Sequence, residues 1–254
     1  MAEPLLQLRS ISKFFGGVHA LVDVDLSVRA GEVVGLVGDN AAGKSTLARV
    51  AAGVHQPDEG EILLGGRPVR IGSPQAAVQL GIATVFQELA LVESLDVPSN
   101  LFLGRELTRS DGLLDESRME EAARRHLERL GSRIPDLRVS LGQLSAGQRQ
   151  CVAIARTLVT DPQVVVLDEP TASLSVSQTA EVLSHIERLR ELGLAVILIS
   201  HNLADVRSVA DRIEVLRRGR NNGSFLVDEA TYEDVLSAIT GAARHPKPTA
   251  RSGA

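Results

Sequence analysis

Eight consecutive residues, Gly38-Asp39-Asn40-Ala41-Ala42-Gly43-Lys44-Ser45, carry the clearest chemistry in this chain. They fit G-x-x-x-x-G-K-[ST], the spacing of a phosphate-binding loop. Phosphates need converging backbone N–H donors, and a tight loop opening a helix supplies them together with the positive end of the helix dipole. Lys44 is expected to reach the terminal phosphates and the Ser45 hydroxyl to hold Mg²⁺, with Thr46 following at the helix start. Average residue usage gives this pattern by chance in about one chain in a hundred of this length. The alternative is a glycine-rich surface turn with an exposed lysine. An apolar strand before the loop and a helical stretch after it favour a nucleoside triphosphate site.

A second group of residues has its chemistry beside such a loop. Val164-Val165-Val166-Leu167 ends in Asp168-Glu169, and ligands of open α/β sheets gather outside the carboxyl ends of the strands. Asp168 then reaches Mg²⁺ directly or through water. Glu169 points to where a water attacks the γ-phosphate, as general base or water-positioning group. His201 follows another apolar run, 195–199, and is placed to sense a γ-phosphate. Gln87, after the apolar segment 82–86, is placed to reach metal or water. Taken singly, each is more often an ordinary polar residue at a strand end.

Leu144-Ser145-Ala146-Gly147-Gln148 is another Ser/Gly-bearing element at a helix start, and so another anion site. With one phosphate loop in the chain, two arrangements stay open. Both elements share one nucleotide within the chain, or each chain completes a neighbour's site.

The elements that must position these residues are legible in outline. Leu5, Leu6, Leu8 and Ile11 open one strand. Val22, Val24, Leu26 and Val28 alternate with Asp23, Asp25 and Ser27, the period of a half-buried antiparallel strand. Residues 33–37 are apolar on both faces and read as a buried strand, and 45–53 as a helix ending at Gly53. Residues 57–60 read as a turn before a strand at 61–64. Strands at 164–167 and 195–199 flank a helix at about 177–192, a parallel crossover. A hairpin is expected from 213–216 and 224–227, joined through 219–223.

Residues 105–133 differ in texture. Fourteen of the 29 are charged, seven of each sign, so the segment faces solvent yet is electrically balanced. A capping box is expected at Ser117-x-x-Glu120, pairs at Glu120/Arg124 and Glu121/Arg125, and an apolar stripe of Met119, Ala123, Leu127 and Leu130. The segment reads as a helical insertion outside the main sheet.

Composition narrows the function classes. The 254 residues are 44% hydrophobic and 23% charged, ordinary for a globular chain that needs no staple. A net charge of −5 argues against a sequence-independent nucleic-acid binder. A single cysteine excludes an internal disulfide and fits a reducing compartment. The opening MAEPLLQLRS lacks the apolar core of a secretory signal, and the longest aliphatic run, 194–199, is far short of the ~20 residues that span a bilayer. Residues 244–254, with little to bury, are expected to be a disordered tail.

These elements, in this order, resemble the ATP-binding cassette (ABC) ATPases over about residues 5–242. The resemblance implies an α/β fold: a P-loop NTPase core with a mostly parallel sheet, an antiparallel β subdomain at its N-terminal side and a helical signature subdomain. It implies one ATPase domain over 1–243, with the helical subdomain at about 88–160. LSAGQ is similar to the family's signature loop, which caps ATP held by the P-loop of the other protomer, so a homodimer sandwiching two ATPs is implied. Phe15 matches the aromatic that stacks on adenine, and Gln87, Glu169 and His201 match the Q-loop, catalytic Glu and switch His. GDNAAGKSTL, GVHQPDEGEI, DEPTASL and ISHNLADV narrow the resemblance to ATPases of ribose-, xylose- and fructose-type monosaccharide importers, in single-cassette form. Such a subunit sits at the cytoplasmic side of the cell membrane, docked on permease subunits through about Leu89 to Arg105. It acts indirectly with an extracellular solute-binding protein, and no nucleic acid is involved.

Three residues depart from the family pattern. Ala41 and Ala146 stand where glycine is usual, and Ser175 where an Asp usually ends the loop after the acidic pair. A positive φ at Ala41 would cost roughly 1–2 kcal/mol. Competing functions are import of another solute such as an amino acid or nucleoside, a cassette ATPase acting on DNA or ribosomes, and a regulatory module that binds ATP with little turnover.

Overall fold

The computed structural model describes residues 3–242, so the tail expected at 244–254 lies outside the described residues. In chain order the first strands are β1 (Leu6–Phe15), β2 (Val18–Val28), β3 (Val33–Val37), β4 (Glu59–Leu64) and β5 (Arg67–Val69). The others are β6 (Ile82–Val85), β7 (Val164–Asp168), β8 (Ala195–Ile199), β9 (Arg212–Arg217) and β10 (Arg220–Leu226). The helices are α1 (Lys44–Ala51), α2 (Pro74–Gln79), α3 (Val97–Leu101), α4 (Glu116–Arg129) and α5 (Ala146–Leu158). Then follow α6 (Val176–Glu191), α7 (Leu203–Val209) and α8 (Tyr232–Thr240), and a 3₁₀ turn at Leu141–Gln143 precedes α5.

One sheet is antiparallel, in the order β2-β1-β4-β5; the other has six strands in the order β10-β9-β3-β8-β7-β6. Five of those six run parallel, and only β10 returns antiparallel beside β9. The uniformly apolar strands follow from burial on both faces. Val165 and Leu167 of β7 enter the core shared with α3–α8, whereas Val164 and Val166 enter the core under the antiparallel sheet and α1. The same split divides β8, with Val196 and Leu198 on one side and Ala195, Ile197 and Ile199 on the other. Among the described residues no helix is long and apolar enough to cross a membrane.

Between β6 and β7 the chain builds α3, α4 and α5, which pack on one another. Met119, Ala123, Leu127 and Leu130 are buried, the apolar stripe expected from spacing. Burying Met119, Leu127 and Leu130 stabilises by about 1.5–3 kcal/mol each. The pairs Glu120–Arg124 and Glu121–Arg125 form on the solvent face.

Four local expectations are corrected. The N-cap of α4 is Asp115, whose side chain accepts from the Arg118 amide, and Ser117 sits inside the first turn. An anionic acceptor suits the positive helix end better than the serine two residues on. In β2, Leu21 and Val24 face the core and Val22 does not, because Asp23 (φ 53°) forms a bulge that resets the alternation. β4 begins at Glu59 inside the expected turn, pairing with Ser12. The turn between β9 and β10 is only Arg218-Gly219, and Arg220, Asn221 and Gly223 already pair with β9, with a register shift between Asn221 and Gly223.

Candidate active site

β3 ends at Val37, and 38–43 turn directly into α1. Gly43 has φ 105°, and a Cβ there would lie 2.8 Å from the Ala20 carbonyl oxygen. At Gly38 (φ 153°) it would lie 2.1 Å from the Leu216 carbonyl oxygen. Only glycine allows the loop to press this close to its neighbours. Ala41 takes φ 62° without that freedom. The Gly219 amide donates to the Ala42 carbonyl at 2.9 Å, bracing the loop from the β9–β10 turn.

A cavity of about 670 Å³ opens over this loop. Residues 40–46 line it, with Gln87 after β6, Glu169 after β7 and His201 after β8. Strand order explains the gathering: β3, β8, β7 and β6 are adjacent and parallel, so the segments leaving their carboxyl ends meet at one edge. The Lys44 ammonium is buried, donating to the Gly38 and Asp39 carbonyls at 2.7 and 3.1 Å. Burial lowers its pKa, opposed by the nearby Glu169, Asp168 and Asp39. Asp168 is also buried, and accepts from the Ser45 hydroxyl at 3.2 Å. Burial raises its pKa; the Ser45 bond opposes that, and the charge of Glu169 adds to it.

Glu169 has φ 54°, an uncommon backbone for a carboxylate residue, and its amide donates to the Ile199 carbonyl at 2.9 Å. Its Oε2 lies 2.7 Å from His201 Nδ1. An ionised carboxylate only accepts, so Nδ1 carries the proton in this contact. The Glu169 side chain is 12% exposed and that of His201 62%, so the imidazole covers the carboxylate from the solvent side. Thr171 Oγ1 donates to Asp205 Oδ2 at 2.8 Å, fastening the loop after the acidic pair to the helix after His201.

The remaining sequence-selected residues lie elsewhere. Gly38 and Asp39 contribute carbonyls to Lys44 and do not line the cavity. Phe15 is 44% exposed and packs edge-on against His55 at 5.1 Å, outside the cavity lining. Ser145, Ala146, Gly147 and Gln148 do not line it either. Ser145 caps α5 in a reciprocal box with Gln148. Ser175 does the same for α6 with Gln178, and a Cβ on Gly147 would meet the Gln178 side chain at 3.0 Å. The two helix starts are therefore neighbours. Within one chain, LSAGQ and the phosphate loop do not share a cavity.

Sequence reasoning missed Val18, His19 and Ala20 from the start of β2, and Arg218 and Gly219, all of which line the cavity. The glycine of the β9–β10 turn was visible as a break, but nothing local shows that this turn folds back onto residue 42. The donor set fits a magnesium ion brought with phosphates. Ser45, Asp168 and Gln87 offer oxygens, while among the described residues no cluster of three or more His, Cys, Asp or Glu forms a complete cage.

Comparison with known proteins gives consistent likenesses. The ABC transporter family model matches residues 21–172. The xylose/arabinose import ATP-binding protein XylG of Sulfolobus acidocaldarius is 41% identical, over 93% of this chain and 94% of that one. The fructose import ATP-binding protein FrcA of Rhizobium meliloti is 42% identical, over 96% of this chain and 97% of that one. Against ribose import ATP-binding protein RbsA 1 of Rubrobacter xylanophilus, identity is 44% over 93% of this chain but only 47% of that longer protein. Among solved structures, a nucleotide-free ATP-binding cassette from an ABC transporter aligns with TM-score 0.80 at 27% identity, over 94% of this chain and 96% of that one. A dimeric post-hydrolysis cassette bound to ADP and Pi aligns at 0.73 with 25% identity, over 87% of this chain and 98% of that one.

Proposed function

The chain belongs to the ABC transporter family, and on that premise we propose that it is the ATP-hydrolysing subunit of an importer, energising uptake of a monosaccharide. The single observation that carries the reading is the gathering of 40–46, Gln87, Glu169 and His201 around one cavity. The sugar assignment draws on the names of the relatives. We take 1–243 as one ATPase domain, with 88–160 as its helical part.

ATP lies with its phosphates along the amides of 40–46, and Phe15, matched to the family's adenine-stacking aromatic, is the residue assigned to the base. Lys44 turns from its carbonyl partners toward the β- and γ-phosphates. Ser45, Gln87 and Asp168 would hold Mg²⁺, which would supply neutralisation of the phosphates' negative charge. Glu169 accepts a proton from water as the water oxygen bonds to the γ-phosphorus. The bond from that phosphorus to the bridging oxygen breaks, leaving ADP and inorganic phosphate. His201, held through Nδ1 by Glu169, turns Nε2 to the γ-phosphate, to which that nitrogen donates once it too carries a proton. Ser145 to Gln148 of a second copy close the site, which accounts for their absence from the cavity of their own chain.

The homodimer works at the cytoplasmic face of the membrane. It docks on permease subunits through the segment Leu89 to Arg105, beside a 230 Å³ cavity lined partly by Leu101, Leu103 and Arg105. A solute-binding protein acts on the other side. The second reading, a regulatory module with little turnover, is favoured by the strained Ala41 and by Ser175 serving as a helix cap. Turnover decides between them. Wild type with its permease hydrolyses ATP, Glu169→Gln binds ATP with turnover reduced at least about a hundredfold, and Lys44→Ala loses affinity. Undiminished hydrolysis by Glu169→Gln refutes the assignment of the base.

A further inference from the structure

We infer that Arg156 is a positioning residue that ties the Gln87 segment to the helix carrying the signature loop. This rests on the ATPase reading above. Arg156 lies in the last turn of α5, the helix whose N-cap is Ser145. Its Nη2 donates to the Leu89 carbonyl at 2.7 Å and its Nη1 to the Ala90 carbonyl at 2.8 Å. These carbonyls lie two and three residues beyond Gln87. The guanidinium is half-buried, forms no ion pair among the described residues, and spends its planar fork on main-chain oxygens. Lysine would have to reach both carbonyls from one nitrogen, without the fixed planar spacing that the two guanidinium nitrogens give.

The segment so held has no regular structure between the end of β6 and the start of α3. Its far end is fixed too. The Gly142 amide donates to the Glu93 carbonyl at 3.0 Å and the Leu141 amide to the Leu95 carbonyl at 2.9 Å. Asn100, fully buried, accepts from the Val92 amide and donates to the carbonyls of Val92 and Asp96 at 2.8, 3.0 and 2.9 Å. Residues 141–143 run directly into Ser145. The Gln87 segment is therefore bonded to the last turn of α5 and to the 3₁₀ turn that leads into its first, and α5 between them is a rod of about 1.5 Å per residue. A displacement of Gln87 on engaging nucleotide is then handed to Ser145–Gln148 as a movement of the whole helix and is not lost in the loop.

The test compares wild type, Arg156→Lys and Arg156→Gln in ATP hydrolysis against ATP concentration. Alongside run affinity for a fluorescent ATP analogue, thermal unfolding and hydrogen exchange of 88–96 and 141–148. The expected result is affinity within about twofold of wild type but kcat lower by roughly tenfold or more in Arg156→Gln and intermediate in Arg156→Lys, since small misplacements near chemistry are costly. Exchange rises in both segments together. Arg156→Lys keeps the buried stem and the charge, so it remains informative should Arg156→Gln fail to fold. Wild-type kcat and exchange in Arg156→Lys overturn the inference, as does a lower melting temperature with unchanged kcat per folded molecule. A wild type that does not hydrolyse ATP with its permease present overturns the ATPase reading and the inference with it. A wild type that hydrolyses, beside an unaffected Arg156→Lys, overturns the inference alone.

Discussion

Replacing Ala41 with glycine should stabilise this protein, although it removes a methyl group. Ala41 holds φ 62°, and its side chain faces solvent at the lip of the cavity. An L-residue in that region costs roughly 1–2 kcal/mol through the clash of Cβ with its own backbone. Glycine escapes the clash but gives up about 0.5–1 kcal/mol through the greater freedom of its unfolded chain. Because the methyl is exposed, no packing is lost. The difference leaves a net gain on the order of 0.5–1 kcal/mol, or about 1–4 °C in melting temperature for a chain of this size. Calorimetric unfolding without nucleotide, then with saturating Mg²⁺-ATP, measures it. If Ala41→Gly melts at or below the wild-type temperature without nucleotide, the loop stores no strain at this position.

Other outcomes follow from burial and capping. Asp168 has a folded pKa raised by burial, so between its ordinary value and the raised one the native state binds more protons than the unfolded state. Its contribution is therefore lost as pH rises through that window, and Asp168→Asn should flatten this part of the stability–pH profile while abolishing Mg²⁺-dependent ATP binding. A steeper profile in the variant refutes the sign. Asp115→Ala should cost about 1 kcal/mol in urea unfolding through loss of the α4 cap, and Ser117→Ala less than about 0.5; equal costs would return the cap to Ser117. Cys151 is buried, with its thiol pKa pushed up to about 12 by desolvation. It should resist iodoacetamide at pH 8 in the folded protein and react on unfolding. Rapid labelling of native protein would contradict the packing of α5.

Much of the fold could be read because its strongest signals are local. Uniformly apolar runs such as 33–37 and 195–199 are short and bounded by turn residues, which leaves little alternative to buried parallel strands. The phosphate loop, the acidic pair, Gln87 and His201 were identifiable because each sits at the end of such a run. What escaped depends on partners distant in sequence or on one residue's backbone. Asp23 shifts the phase of β2 by adopting a conformation its neighbours do not announce. Arg156 looks like any helical arginine until Leu89 and Ala90 arrive from more than sixty residues away. Arg218 and Gly219 reach the cavity only because β9 lies beside β3.

Gly147 and Gln178 meet with no space to spare. Since Gln178 also supplies the oxygen that accepts from the Ser175 amide, bulk added at 147 would unlatch a cap on a different helix. The two positions are therefore sterically matched: a larger side chain at 147 calls for a shorter one at 178. An engineer who grafts only one of these loops from a relative should find that the transplanted half fits poorly until its companion is exchanged as well.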